Sequence, residues 1–307
     1  MSLVSLLNNV TSFVLYATLA WHLGNPAHLA ADQPTKVGDL FWVWGNPEMT
    51  RPGEPTNATF AEASSAGRAR LLGAPNIMMA GAGLPDDWQE GVRLTEEVKD
   101  FPGIAWEISP DGGGGAPFVY KRRMAQARAL YDQYPQIAAL ILDDMSSVSR
   151  SRGFQPVHIR QIRQELTGKY AAMRLWGVVY TMNLYESNMG DYIKELDVIL
   201  LPEWFGNKVG EFEKHVAYVE KQYPDKPIIF CTYLYDYGGG RRMSQELLEK
   251  QFTTALRLAH EGRIAGIEIT MVTNDEEAVR WTVEWIRSVA DQPIKNPTRK
   301  SYLKPAA

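Results

Sequence analysis

Acidic side chains stand at the ends of several short apolar segments of the chain. The segment Ile137–Leu142 runs directly into Asp143 and Asp144. Glu203 follows a second such segment, and Glu107 lies inside a third. Burial of an unpaired carboxylate is costly, so carboxylates in these places are candidates for chemistry. The alternatives are a loop cap or ion pair for the two aspartates, an exposed loop position for Glu203 and a structural ion pair for Glu107. The predicted catalytic residues are Asp143, Asp144, Glu203 and Glu107.

Paired carboxyl groups can perform acid–base chemistry without help from a metal. One carboxylic acid protonates a leaving oxygen, and a second carboxylate attacks the electrophilic carbon or activates water. Histidine is missing from the strand ends, because His158, His215 and His260 fall on predicted helices. A metal-dependent site of this kind would normally combine histidine with carboxylates. The sequence therefore predicts neither a metal nor a cofactor.

Aromatic and polar side chains accompany these carboxylates. Aromatic rings at strand ends are candidates for stacking on a substrate, although large rings also fill cores, so we expect about half of them to line a cleft. Tyr180 is one such candidate. Glu268, in the middle of a strand, fits a substrate site, a polar layer or a structural ion pair. The predicted substrate-binding residues are Trp44, Trp106, Asn183, Trp204, Tyr233, Tyr235, Asp236 and Glu268.

The elements that must position these residues alternate along the chain. Short apolar, β-branched or aromatic runs predict strands, and the longer amphipathic runs between them predict helices. The predicted strands are Asp39–Trp44, Asn76–Ala80, Ile104–Ile108, Ile137–Leu142, Leu175–Tyr180, Asp197–Leu201, Pro227–Tyr233 and Ile264–Met271. The predicted helices are Thr59–Leu72, Asp86–Val98, Val119–Tyr131, His158–Tyr170, Asp191–Leu196, Gly210–Gln222, Ser244–Glu261 and Glu276–Ala290.

This alternation predicts an α/β fold with a single (β/α)8 TIM barrel over residues 37–292. Each helix carries the chain back to start a parallel strand, and eight such units imply closure of the sheet. The alternative is an open doubly wound sheet, which usually has a glycine-rich turn after its first strand. Here that turn reads Gly45-Asn46-Pro47-Glu48. Since catalytic residues of barrels lie at the carboxyl ends of strands, the predicted catalytic residues share one rim.

The two ends of the chain fall outside this barrel. Residues 1–36 form an N-terminal extension that contains the apolar run Val10–Leu23. The first basic residue is Lys36, so the basic start of a secretory signal is missing, and a signal-like segment and a flanking helix both remain open. Secreted, periplasmic and cytoplasmic locations stay equally open. The run is short for a membrane span, so we expect no stable membrane insertion. Residues 293–307 form a predicted C-terminal tail.

Composition narrows the range of partners. The net charge of -4 gives no electrostatic reason to expect nucleic acid. The single cysteine, Cys231, excludes an internal disulfide and a cysteine-based zinc site within one chain. The glycine runs at residues 112–115 and 238–240 are weak signals for anion binding. The oligomeric state is not predicted.

The region from Asp39 to Ala290, with its rim of carboxylates and aromatic residues, resembles the (β/α)8 glycoside hydrolases as a broad group. Several such families place a nucleophile or base at the end of strand four and an acid at strand six. The resemblance therefore assigns these roles to Asp143 or Asp144 and to Glu203, and it implies a carbohydrate substrate. Strand four ends in Leu-Ile-Leu-Asp-Asp and lacks the spaced DxxDxDxE of the chitinase-like families.

Two further functions remain open. A catalytically idle barrel that only binds carbohydrate or a protein partner predicts that the rim carboxylates are tied up in salt bridges. A lyase or isomerase barrel would use a carboxylate base, with a divalent metal held by Asp143, Asp144, Glu107 and Glu268. Loss of activity in a chelator would favour the second of these over a glycosidase.

Overall fold

The structure is a computed structural model that describes residues 34–45, 65–109, 117–145, 153–270 and 275–296. The chain divides into two compact units, residues 1–32 with 306–307 and residues 33–305, and the described residues belong to the second. The predictions for the N-terminal extension, for Glu48 and for the glycine run at 112–115 lie outside the described residues. The predicted domain boundaries stay a prediction.

Eight parallel strands close into a barrel, as the sequence predicts. Each strand pairs with its neighbour in sequence, and β1 pairs with β8 to complete the ring. The strands are β1 (Phe41–Trp44), β2 (Asn76–Met79), β3 (Gly103–Glu107), β4 (Ile137–Leu142), β5 (Arg174–Val178), β6 (Val198–Pro202), β7 (Ile228–Tyr233) and β8 (Gly266–Thr270).

A helix follows each strand within the described part of the chain. The helices are α1 (Ser65–Leu72), α2 (Trp88–Val98), α3 (Pro117–Tyr131), α4 (Pro156–Glu165), α5 (Met189–Glu195), α6 (Phe212–Gln222), α7 (Gln245–His260) and α8 (Glu276–Val289). No helix among these residues has the length and apolar character needed to cross a membrane.

Several predicted helices were drawn too long. The helix predicted to reach Tyr170 ends at Glu165, because Leu166 leaves the helical region and Gly168 has a φ of +58°. The helix predicted from Gly210 begins at Phe212, since the residues before it form a 3-10 turn. A short hairpin after β7, which pairs Tyr235–Asp236 with Arg241–Arg242, was not predicted at all.

Alternation along the strands separates the barrel interior from the helix layer. Trp42 and Trp176 meet edge to face inside the barrel, with ring centroids 4.9 Å apart. On the outer face, Phe41 packs against Trp285 of α8. At the start of the barrel, Ile294 donates a backbone hydrogen bond to Thr35. Side chains such as Trp42 and Trp176 therefore fill the barrel interior below the rim.

The loop after β2 lies directly on the end of β3. Leu84 donates its backbone N–H to the carbonyl of Glu107 at 2.7 Å. Gly83 has a φ of +71°, a conformation that favours glycine, and a Cβ there would lie 2.7 Å from the carbonyl oxygen of Ser109 and 3.1 Å from that of Glu107. The close approach fixes this loop against the strand that carries Glu107.

We expect Gly83→Ala to destabilise the fold by about 2 kcal/mol or more, because the new Cβ meets backbone and the left-handed conformation is strained. The matched control is Gly266→Ala in β8, whose Cβ would find its nearest atoms at 3.4–3.5 Å, an ordinary contact. Its effect should stay below about 1 kcal/mol. Urea denaturation of both variants measures the difference, and equal losses would contradict this account of the loop.

Candidate active site

A cleft opens where the strands end. Predicted site residues from several strands meet in it, including Asp143 after β4 and Glu268 of β8. Trp44, Trp204 and Tyr233 are the predicted aromatic residues that reach it. Among the described residues, the lining is Trp44, Gly81, Asp143, Val178, Tyr180, Pro202, Trp204, Cys231, Tyr233, Tyr237, Glu268 and Thr270.

Asp143 and Asp144 adopt different positions at the end of β4. Asp143 lines the cleft and is half-buried. Burial, together with the charges of Glu107 and Asp144, raises the pKa of Asp143 well above its usual range. Asp144 has a φ of +49°, the only positive value at a non-glycine residue among those described. Its carboxylate accepts a hydrogen bond from the hydroxyl of Tyr180, which also lines the cleft.

Glu107 lies behind Asp143 and is fully buried. Its two oxygens accept hydrogen bonds from the Ser109 hydroxyl at 2.9 Å and from the Gly81 backbone N–H at 2.6 Å. The backbone N–H of Asp143 donates to the same Ser109 oxygen at 2.7 Å. Burial raises the pKa of Glu107 to about 7, against the opposing effect of these donors and of Arg123. Ser109 thus links the buried glutamate to the residue in the cleft.

Glu203 is also buried, with only 2% of its surface exposed. It accepts hydrogen bonds from the Thr181 hydroxyl at 2.6 Å and from the Phe205 backbone N–H at 3.0 Å. His215 Nε2 lies 3.9 Å from Glu203 Oε2, and His215 Nδ1 is 2.7 Å from the Tyr185 hydroxyl. Burial lowers the pKa of His215 despite the nearby carboxylate. These contacts engage both oxygens of Glu203 behind the cleft wall.

Glu268 reaches the cleft from the opposite side of the barrel. It accepts a hydrogen bond from the Thr270 hydroxyl at 2.8 Å and a second one from the Cys231 thiol. Burial nevertheless raises its pKa to about 8, and it also raises the pKa of the Cys231 thiol well above the usual range. Glu268 is therefore a protonated carboxyl group at neutral pH.

Aromatic rings form one wall of the cleft. Trp204 stacks on Tyr237 at 5.2 Å with an interplanar angle of 25°. Tyr180 and Tyr233 meet the same indole edge to face, at 5.4 and 6.4 Å. One face of Trp204 is thus covered by Tyr237, so the wall presents a cluster of rings rather than one open platform. Cleft-lining rings are provided by Trp44, Tyr180, Trp204, Tyr233 and Tyr237.

Asp236 holds the hairpin after β7 in place. Its carboxylate accepts hydrogen bonds from the backbone N–H groups of Gly206 and Gly239, each at 2.8 Å, and pairs with Arg241 at 3.1 Å. Burial acts to raise the pKa of Asp236, but these three donors together lower it. The contacts tie the hairpin to the loop after β6 and so position Tyr237 against Trp204.

Three further predicted residues are not brought to the cleft wall. Trp106 is 1% exposed and, by strand alternation, points away from Glu107 toward the helices. Asn183 is buried and donates to Glu186 at 2.6 Å. Tyr235 lies in the hairpin, edge to face with Tyr237.

Two lining residues, Thr270 and Tyr237, and the residue His215 beside Glu203 were not predicted as site residues, although the sequence contained a signal for each. Thr270 stands two residues after Glu268 on β8, so alternation places both on one face. Tyr237 belongs to the same aromatic run as Tyr235. His215 occupies the buried stripe of α6 with Phe212, where a polar side chain requires a partner.

The lyase or isomerase alternative includes a metal site built from carboxylates. Among the described residues, no group of three or more His, Cys, Asp or Glu side chains is arranged to hold a metal ion. The set named for that alternative, Asp143, Asp144, Glu107 and Glu268, lies entirely within the described residues.

No protein-family model matches the chain, and no curated protein matches it. Solved structures are similar in fold. The GH99 endo-alpha-mannosidase from Bacteroides thetaiotaomicron is 12% identical, with a TM-score of 0.54, and the match covers 82% of this chain and 97% of that one. The spore cortex-lytic enzyme SleL from Bacillus cereus is 12% identical, with a TM-score of 0.52, over 81% of this chain and 75% of that one.

A family 18 chitinase from Crocus vernus is 10% identical, with a TM-score of 0.50, over 81% of this chain and 99% of that one. At such identities the likeness concerns the fold alone. It confirms, at the level of architecture, the predicted resemblance to the (β/α)8 glycoside hydrolases as a broad group.

The raised pKa of Glu268 makes stability depend on pH. The ordinary pKa of a glutamate is 4.5, against about 8 in the folded protein, so between these values the folded state holds a proton that the unfolded chain has lost. The free energy of unfolding must therefore fall as pH rises through this window. We expect Glu268→Gln to make the fall less steep by about 1.4 kcal/mol per pH unit between about pH 5 and 8.

Urea denaturation across this pH range measures that slope. Glu249→Gln, an exposed carboxylate on α7, is the matched control and should reproduce the wild-type slope. A Glu268→Gln slope equal to that of the control would contradict the assignment of the proton to Glu268.

Proposed function

We propose that the protein is a glycoside hydrolase that acts at the cleft on the carboxyl side of the barrel. The observation that carries the proposal is the combination, in one cleft, of the carboxyl groups of Asp143 and Glu268 with five aromatic rings. Carboxyl pairs cleave glycosidic bonds, and aromatic faces pack against the C–H faces of sugar rings.

Asp143 is the proposed general acid. A raised pKa favours the protonated form of a carboxyl group, and that form can donate its proton to the leaving oxygen. Asp143 lines the cleft, and buried Glu107 and neighbouring Asp144 both oppose its ionisation. After Asp143 gives its proton to the leaving oxygen, it would regain a proton from the water molecule that completes hydrolysis.

Asp144 is the proposed second carboxylate, which attacks the anomeric carbon or activates water. It is half-buried and accepts a hydrogen bond from the Tyr180 hydroxyl. Its left-handed backbone is a strained conformation of the kind that clusters at active sites. Both carboxyl oxygens of Glu107 and of Glu203 accept hydrogen bonds from neighbouring donors. We propose that these two residues stabilise the site rather than react with the substrate.

The idle-barrel alternative requires rim carboxylates that are neutralised by basic side chains. Among the described residues, no lysine or arginine forms an ion pair within 4.0 Å of Asp143, Glu107 or Glu268. Carboxyl groups held together without counter-ions are costly to fold, and a catalytic role explains why they are held so. This observation favours an enzyme over a binding protein.

The roles of the two aspartates predict opposite dependence on the leaving group. A good leaving group needs little protonation, so Asp143→Asn should reduce kcat by about 100-fold or more on alkyl glycosides and oligosaccharides but far less on dinitrophenyl glycosides. Asp144→Asn should reduce kcat by about 1000-fold on both kinds of substrate. Turnover on a panel of aryl glycosides and natural oligosaccharides checks this.

Glu203→Gln and Glu107→Gln should act mainly through stability, and Glu249→Gln on the protein surface should match wild type. Each assay is run with and without a chelator, since chelator-sensitive turnover would favour the metal-dependent lyase or isomerase. Absence of glycoside cleavage by the folded wild type would sink the glycosidase proposal.

A further inference from the structure

Three hydroxyl groups of the cleft wall donate their protons to other groups of the site. The Thr270 hydroxyl donates to Glu268, the Tyr180 hydroxyl donates to Asp144, and the Tyr233 hydroxyl donates to Tyr180. A neutral sugar, whose hydroxyl groups both donate and accept, would have to displace these bonds to use the three hydroxyl groups as donors.

The ionisable carboxyl side chains at the cleft are all acidic. Asp143 and Glu268 line it, and Glu107 and Asp144 both act electrostatically on Asp143. No lysine or arginine occurs among the lining residues of the described chain. Arg123 acts electrostatically on buried Glu107. The guanidinium of Arg123 donates to the carbonyl of Ser109, which is not a lining residue.

Aromatic rings surround this acidic floor. Trp204, Tyr180, Tyr233 and Tyr237 contact one another, with centroid distances from 4.9 to 6.4 Å. A cation is attracted to the face of such rings when it lies within about 6 Å of their centroids. Both sets of groups therefore favour a positively charged ligand. The aromatic rings attract it through their faces, and the carboxyl groups attract it through the negative charge of their ionised forms.

We propose that the cleft selects a sugar unit that carries a protonated amine, an amino sugar with a free amino group, over the neutral sugar of the same shape. An ammonium group supplies three donors and no acceptor, which matches a wall of this composition. That the ligand is a sugar rests on the proposed glycosidase function. The preference for positive charge rests on the cleft alone.

A bound cation also changes the protonation of the site. Asp143 is faced by Glu107 of β3, Asp144 after β4, Tyr180 after β5 and Glu268 of β8. Positive charge placed among these groups favours their ionised forms. Binding of the amine at neutral pH should therefore release protons to the buffer, whereas binding of a neutral sugar should not.

Calorimetric titration of the full chain with glucosamine, glucose and N-acetylglucosamine tests the proposal without requiring turnover. We expect glucosamine to bind at least about tenfold more tightly than either neutral sugar, a difference of about 1.4 kcal/mol. Titration in buffers of different ionisation enthalpy should show proton release for glucosamine only. Asp143→Asn and Glu268→Gln should reduce the preference to about threefold or less, and Glu249→Gln should retain it.

Tetramethylammonium is the second probe, since its charge is fixed and it donates no hydrogen bonds. It should compete with glucosamine for wild-type protein, and this measurement keeps the test valid if a carboxyl variant fails to fold. Equal or weaker binding of glucosamine relative to glucose overturns the proposal, as does a preference that survives both carboxyl substitutions. Cleavage of neutral glycosides without amine preference overturns this inference alone, whereas amine preference without any cleavage overturns only the glycosidase.

Discussion

The burial of several carboxyl groups at one end of the barrel is the constraint on which the rest of the site depends. Like charges in a low-dielectric environment cannot all ionise, so the folded protein holds protons on some of them. This is why the pKa of Glu107 rises to about 7 and that of Glu268 to about 8. The barrel below the rim, filled by Trp42 and Trp176, excludes water and maintains these conditions.

The surrounding loops provide hydrogen-bond donors to the buried carboxyl groups. Gly81 and Ser109 hold Glu107, Thr181 and Phe205 hold Glu203, and Gly206 and Gly239 hold Asp236. Most of these donors are backbone N–H groups of loops that follow the strands. Backbone N–H groups cannot rotate away from their acceptors. These hydrogen bonds therefore fix the carboxyl groups and the loops relative to each other.

The barrel could be predicted from the sequence because its signal is repeated. Eight apolar runs alternate with amphipathic ones, and an error at one boundary, such as the early end of α4 at Glu165, does not change the architecture. The site was less predictable because it depends on side-chain direction. Alternation could have excluded Trp106 and included Thr270, since both lie on regular strands beside Glu107 and Glu268.

Other features of the site could not be recognised from local patterns in the sequence. The hairpin after β7 forms because Asp236 finds amide donors on a loop 30 residues away, at Gly206. The position of Asp144 depends on its left-handed backbone and on a hydrogen bond from Tyr180, which lies just after the next strand, β5. Such contacts arise only when the barrel closes, so periodicity and spacing along the chain could not reveal them.

Acid catalysis and selection of a cation place opposite demands on one cleft. A general acid must keep its proton, whereas a neighbouring positive charge favours loss of that proton. Both can hold if the amine lies beside Glu268 rather than Asp143, because Glu268 is then the group that ionises. The two carboxyl groups enter the cleft from β8 and from the end of β4, on different sides of the ring, and Asp143 keeps the added opposition of Glu107 and Asp144 to its ionisation. The geometry of the barrel thus allows one carboxyl group to balance the ligand's charge while the other retains its proton for the leaving oxygen.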